Sequence, residues 1–232
     1  MKTNTITLTQ QGLIKKILKE AGMETCNGNW TPASTTPLGM DPDGPFMNAS
    51  WYYGSIVGML LYLSGNTRPD ITFAVSQVAR FTHAPRASHA TAVKKILRYL
   101  SRTMDKGLII NPGQLLLTVY PDADFSGLYN NDPFTSSTSA KSRTGYLIKL
   151  AGCPLLWKSQ LQRTIALSTA ESEYNALSQA LRALLPLREL LFEFASAVQL
   201  SSIYRQVRAP FQAVLYEDNS NALSLATSHR LM

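Results

Sequence analysis

The chain has 232 residues, 45% of them hydrophobic, with a formal net charge of +7. That apolar content suits a globular protein with a real core and excludes a wholly disordered chain. No stretch approaches the roughly 18 uninterrupted apolar residues of a membrane span, the polar start Met1-Lys2-Thr3-Asn4-Thr5 gives no secretory signal, and Cys26 and Cys153 have no partners at zinc-finger spacing.

The charge is unevenly spread. Residues 1–110 carry 12 lysines and arginines against 6 acids, and residues 111–232 carry 10 against 9. Most of the excess lies between Arg80 and Lys106, where seven basic residues face Asp105 alone. A polyanion is the partner such a segment suggests.

In chain order, Leu8–Ala21 reads as a helix. Leu13, Ile14, Ile17 and Leu18 fall on one side, Lys15, Lys16 and Lys19 toward the other, and Gly22 offers a stop. Residues 25–50, with Pro32, Pro37, Pro42 and Pro45, cannot hold regular structure for long and read as a linker. Two helical stretches follow, Tyr52–Ser64 and Asp70–Thr82, with Pro69 suited to the first turn of the second. In the next, Ser88 is a candidate cap, and Val93, Ile96, Leu97 and Leu100 recur at i, i+3, i+4, i+7. Lys94, Arg98 and Arg102 lie on the opposite side, with Lys95 beside them. These four are the candidate nucleic-acid-binding residues, and Arg86, His83 and His89 stand near enough to add phosphate contacts. A solvated amphipathic helix is the plainer reading of the same pattern. If three or four phosphates are neutralised there, affinity falls with salt along a log–log slope of roughly −3.

After Asn111-Pro112-Gly113 the period changes. Leu115–Tyr120 is a short β-prone run, and Thr144–Leu150 followed by Pro154–Trp157 reads as a hairpin about Ala151-Gly152. Three strands, expected to be antiparallel, thus precede any helix. Ser168 and Glu171 form a Ser-x-x-Glu capping box opening a helix to about Leu181, and Pro186 starts or kinks a continuation. A fourth strand, Gln212–Tyr216, leads to Asp218 and a last short helix.

Three carboxylates stand at telling places in this order. Asp122 and Asp218 follow apolar strand-like runs, and Glu173 sits one turn into the capped helix. Carboxylates brought together repel, and a divalent cation is the usual remedy. Asp124 shares the strand face of Asp122 and is an alternative ligand. Glu171 is more simply a cap, and Glu217 alternates away from Asp218 toward solvent. Pro121 inside a strand forfeits a ladder bond, so the strand is expected to end or bulge just before Asp122.

In order and spacing, Tyr52-Tyr53-Gly54-Ser55-Ile56-Val57-Gly58-Met59-Leu60, Thr67-Arg68-Pro69-Asp70-Ile71, Lys95-Ile96-Leu97-Arg98-Tyr99-Leu100, Asp122-Ala123-Asp124, Ser142-Arg143-Thr144-Gly145-Tyr146, Trp157-Lys158-Ser159 and Glu171-Ser172-Glu173-Tyr174-Asn175-Ala176-Leu177 resemble copia-type retrotransposon polyproteins. The resemblance covers nearly the whole chain. It implies an α/β fold: a ribonuclease H-like mixed sheet in the order β-β-β-α-β-α over residues 111–232, incomplete at its C-terminal end. A mainly helical polymerase connection region over residues 1–110 precedes it.

The implied activity is hydrolysis of RNA in RNA–DNA hybrids by two Mg2+ ions, with Mn2+ as an alternative. The implied catalytic and metal-holding residues are Asp122, Glu173 and Asp218. Ser172-Glu173-Tyr174-Asn175-Ala176 occupies the family's Ala-Glu-x-x-Ala frame, with Ser172 in place of the alanine. The resemblance further implies the remaining polymerase portion of the polyprotein as a partner, no membrane association, and a cytoplasmic virus-like particle or the nucleus as location. The polymerase's Tyr-x-Asp-Asp hairpin is absent from the sequence. The chain ends at Ser228-His229-Arg230-Leu231-Met232, short of the stretch in which the family carries a further histidine and a fourth acidic residue.

Overall fold

The computed structural model describes residues 5–129, 131–133, 135, 136, 138–198 and 212–227; the terminal stretch 228–232 lies outside them. Four helices build the first half: α1 (Gln11–Glu20), α2 (Tyr53–Asn66), α3 (Thr72–Ala79) and α4 (Ala87–Arg102). Their apolar faces meet in one core, where Ile14, Ile17, Ile56, Leu60, Val93, Ile96, Leu97 and Leu100 are all but sealed from solvent. Each such side chain contributes about 1.5–3 kcal/mol on burial, so the 3.6-residue pattern in the sequence is the pattern of the core.

A buried guanidinium ties these helices together. Arg68 is 2% exposed. It forks onto Asp70 at 2.8 Å and donates to the Thr103 carbonyl and hydroxyl at 3.0 and 2.6 Å. The Tyr99 hydroxyl donates to the same Asp70 at 2.8 Å. A planar fork satisfied on both sides is the condition under which burying this charge is tolerable. Thr67-Arg68-Pro69-Asp70 is therefore the staple joining the α2–α3 corner to the end of α4. Burial raises the Asp70 carboxyl, and its bonds to Arg68 and Tyr99 outweigh that, holding it below the usual carboxylate range.

Several boundaries differ from the expected ones. Leu8 is not helical: Ile6–Leu8 forms β1, paired antiparallel with β2 (Leu108–Ile110). Pro69 opens a short 3-10 turn, Pro69–Ile71, ahead of α3, which ends at Ala79 rather than Thr82. Ser88 is not the cap of α4. The N-cap is Arg86, whose backbone N–H donates to His89 Nδ1 at 2.9 Å, while Ser88 gives its hydroxyl to Asp41 at 2.5 Å. Residues 25–50 hold almost no regular structure but do not hang free. Asn29 N–H reaches the Arg98 carbonyl at 3.1 Å, and Leu38 N–H reaches Gln77 Oε1 at 2.8 Å.

The second half is a mixed sheet with a long helix on one face. β3 (Leu117–Asp124), β4 (Arg143–Leu150) and β5 (Cys153–Leu161) are antiparallel, and β6 (Ala213–Leu215) pairs parallel with β3, giving the order β5-β4-β3-β6. The β4–β5 turn is made by Ala151 and Gly152, both at positive φ (52° and 81°). That is the hairpin geometry matching the strands' twist. α5 (Thr169–Ala197) covers Leu117, Val119 and Ile148 with Ala180 and Leu184, and α6 (Ser220–Thr227) follows β6. α5 starts at the expected cap, Ser168 Oγ accepting from Glu171 N–H at 3.1 Å, and it runs unbroken through Pro186.

Pro121 neither ends nor bulges β3, whose register with β4 is continuous from Leu117 to Asp124. The reason is directional. Leu117 and Val119 turn their backbone groups toward β6, bonding Gln212 and Tyr216. Pro121, two residues on, turns the same way but past the end of β6, where no ladder bond is forfeited.

The two cores meet through specific polar contacts. Trp157 Nε1 donates to the Ser64 carbonyl and Arg143 to Ser76 Oγ, both at 2.8 Å. Arg80 pairs at 2.5 Å with Asp132, a carboxylate with no exposed side-chain surface. Asp132 also accepts from Met40 N–H and from the Thr138 hydroxyl.

Candidate carboxylate centre and basic helix face

Side-chain alternation along β3 puts Leu117, Val119 and Pro121 toward α5, and Asp122 and Asp124 on the opposite face. Glu173, on the second turn of α5, comes close enough to the end of β3 for Asp122 and the Ala123 backbone to act on its carboxyl. The parallel pairing of β6 with β3 brings the residues after β6 to the same end, so that Glu217 and Asp218 join them. Asp122 and Asp218 are exposed; Glu173 and Glu217 are half-buried.

The electrostatics record this convergence. Burial, with the charges of Asp122, Glu217 and Asp218 added, pushes the Glu173 carboxyl up to about 7. Its Oε2 is buried without a hydrogen-bond partner, as is Oε2 of Glu217. Burial raises the Glu217 carboxyl too, helped by Asp218 and Asp122 against the opposing Asn219 amide. Glu217 is thus a member of the cluster, not the solvated residue expected from strict alternation. The strand proper ends at Leu215, so the period of two no longer applies at position 217. Asp124, on the face of Asp122 as expected, acts instead on Arg143, its direct neighbour across the β3–β4 ladder. Glu171 caps as expected, accepting from Leu167 N–H at 2.8 Å.

The donor chemistry fits a hard divalent cation: only carboxylate oxygens, two of them buried and unsatisfied. The spacing is looser than the chemistry. Among the described residues no group of three or more His, Cys, Asp or Glu side chains is arranged to hold a metal ion. The cluster therefore has the repulsion that a cation relieves without a ready-made cage.

On α4, Lys94, Arg98 and Arg102 are exposed in a row, opposite Val93, Ile96, Leu97 and Leu100. Two of the four candidate cations already have work. Lys95 is half-buried with its ammonium on Ser34 Oγ at 3.1 Å, and the Arg102 guanidinium lies over the Trp30 ring at 3.2 Å. The expected help from His89 and Arg86 does not materialise. His89 is fully buried and stacked on Phe81 at 3.8 Å, its Nε2 on the Gly39 carbonyl. Arg86 donates to the Gly44 carbonyl and lies over Phe46. A helical stripe of charge is legible in sequence; partners supplied by the 25–50 stretch, 42 to 72 positions away, are not.

No helix among the described residues is long and apolar enough to cross a membrane. No family model and no solved structure matches the chain. Among curated proteins it is similar to the retrovirus-related Pol polyprotein from transposon RE1 of Arabidopsis thaliana, 32% identical over 95% of this chain and 14% of that protein. It is also similar to the corresponding polyprotein from transposon TNT 1-94 of Nicotiana tabacum, 34% identical over 80% of this chain and 14% of the other. A shorter match, 42% identical over 129 residues, links 55% of the chain to 85% of the secreted RxLR effector protein 161 of Plasmopara viticola. The chain spans about one seventh of the length of the polyproteins it matches.

Proposed function

Because the chain belongs to the copia-type retrotransposon Pol polyproteins, we propose that its sheet-bearing half is a ribonuclease H-like domain acting on the RNA strand of RNA–DNA hybrids. Asp122, Glu173 and Asp218 are the proposed catalytic residues and the holders of two Mg2+ ions, with Mn2+ as a substitute and Asp124 as a further ligand. When bound, such ions supply an activated water and a counter-charge for the leaving oxygen.

The observation that carries this reading is the buried, unpartnered oxygen of Glu173, flanked by Asp122, Glu217 and Asp218. The crowding that pushes the Glu173 carboxyl up to about 7 is the repulsion that a bound cation would relieve. The exposed Asp122 and Asp218 leave the cluster open to a phosphodiester. The helical half, carrying most of the net positive charge, is proposed as the connection that grips the hybrid through Lys94, Lys95, Arg98 and Arg102 and docks onto the rest of the polymerase.

The test is cleavage of an end-labelled RNA–DNA hybrid by the chain with Mg2+ or Mn2+, beside Asp122→Asn. Cleavage of the RNA strand that needs the metal and is lost in the variant supports the nuclease. Hybrid binding without cleavage under either metal leaves a nucleic-acid-binding connector.

A further inference from the structure

Trp30 is 76% exposed, although the Arg102 guanidinium lies over its ring at 3.2 Å. A planar ring that keeps so much surface with a guanidinium on one face has its other face bare. The ring is nonetheless held in place. Asn29, just before it, gives its backbone N–H to the Arg98 carbonyl at 3.1 Å and accepts the Trp30 N–H on its Oδ1 at 3.0 Å. Gly28 lies so low on α4 that a Cβ there would stand 2.8 Å from Arg102 Cβ, so a side chain at this position would lift the segment and the ring with it.

The ring stands at the end of the basic row. Lys94, Arg98 and Arg102 follow one another every four residues, about 6 Å apart along α4. Lys94 and Arg98 border a groove of about 450 Å3, with Thr25, Asn48 and Ser50 among its other walls and no acidic side chain. Among the described residues neither cation has an ion-pair partner. Free cations beside polar walls draw phosphates, and phosphates alone do not tell a duplex from a single strand. A bare aromatic face does. Paired bases are stacked on one another inside the duplex, whereas an unpaired base can lie on an aromatic side chain, which strengthens binding by a factor of about five to 150 per base.

We propose that this face of α4 holds an unpaired stretch of nucleic acid, one base stacked on Trp30 and neighbouring phosphates on Lys94 and Arg98. Arg102 backs the ring and fixes its orientation. The inference rests on the reading of α4 as a nucleic-acid grip and narrows it to an unpaired strand; it is independent of cleavage.

The experiment measures, by anisotropy in EDTA across a salt series, binding of a fluorescein-labelled single-stranded DNA oligonucleotide and of a blunt RNA–DNA hybrid of the same sequence. Trp30→Ala, a change at an exposed position, should weaken single-strand binding about tenfold. It should leave the log–log salt slope unchanged, because no charge is lost, and leave hybrid binding unaffected. Trp30→Phe should restore most of the affinity, and the single strand should quench the indole emission of the parent more than that of Trp30→Phe. Lys94→Ala with Arg98→Ala should lower the single-strand slope by about 1.4, roughly 0.7 for each phosphate. Undiminished single-strand binding in Trp30→Ala overturns the proposal, and so does equal weakening for both probes, which makes the ring only a prop for Arg102. If the charge variant weakens hybrid binding while Trp30→Ala leaves the single strand unaffected, the grip stands and the stack falls. If the charge variant binds both probes like the parent, the grip falls and the stack with it.

Discussion

The indole N–H of Trp157, on β5, donates to the Ser64 carbonyl near the end of α2 at 2.8 Å, joining the sheet to the helices across 93 positions of sequence. Trp157→Phe keeps most of the ring but removes the donor, stranding a carbonyl at an interface. The expected cost is about 1–3 kcal/mol, read as a lower midpoint in urea with an unchanged slope.

Arg80 and Asp132 make a heavier joint. Arg80→Met leaves the Asp132 carboxylate buried with only Met40 N–H and the Thr138 hydroxyl to satisfy it. Breaking one side of a buried pair costs about 3–5 kcal/mol. Adding Asp132→Asn to Arg80→Met should recover part of that loss, and a double-mutant cycle of unfolding free energies measures how much.

The pH dependence follows from Glu173. Its folded carboxyl titrates at about 7, above the ordinary 4.5. Between those values the unfolded chain binds fewer protons at this position than the folded one, so stability falls as pH rises through the window and the loss is complete above it. Half-exposure screens the effect to on the order of 1 kcal/mol. Burial lowers the His89 pKa, which acts the other way, removing stability as pH falls below its ordinary value of 6.5. The difference between the parent chain and Glu173→Gln isolates the carboxyl. The variant should be the more stable at pH 8 and equal at pH 4 in thermal melts, and millimolar Mg2+ should raise the melting point of the parent more than that of the variant.

On α4, Lys94→Ala with Arg98→Ala should reduce the salt slope of hybrid binding by about 2, one for each phosphate that is no longer neutralised. Lys95→Ala should change it less, because Ser34 already holds that ammonium. Anisotropy at four salt concentrations separates the two variants.

Gly152 stands at φ +81° with nothing within 4 Å of where a Cβ would sit. Gly152→Ala should still cost about 1 kcal/mol, all of it backbone strain in the left-handed region. Chemical denaturation checks the size.

Whatever repeats locally is legible in the sequence. The apolar stripes of α1, α2 and α4, the Ser168 cap and the hairpin about Ala151-Gly152 each depend on residues within a turn or two. The places of Asp122 late in β3, Glu173 early in α5 and Asp218 just after β6 are readable because strand runs and helix starts are themselves local signals. Glu217, Arg143 and His89 are not, since their surroundings are assembled from distant segments: β6 against β3, α3 against β4, the 25–50 stretch against α4. Pro121 defies a local reading for a related reason. Its cost depends on where a neighbouring strand stops, and that neighbour lies about ninety residues later.

The short pairing of β6 has a bearing on how an ion would act. The paired stretch is short, Ala213–Leu215 with one bond more from Gln212 and from Tyr216, yet it carries Glu217 and Asp218 with it. Peeling away so brief a strand would take half of the acidic cluster with it, and local openings of this kind draw on little free energy. A cation shared between β3, α5 and the residues after β6 would act as a rivet, making metal affinity and the closure of this edge a single linked equilibrium.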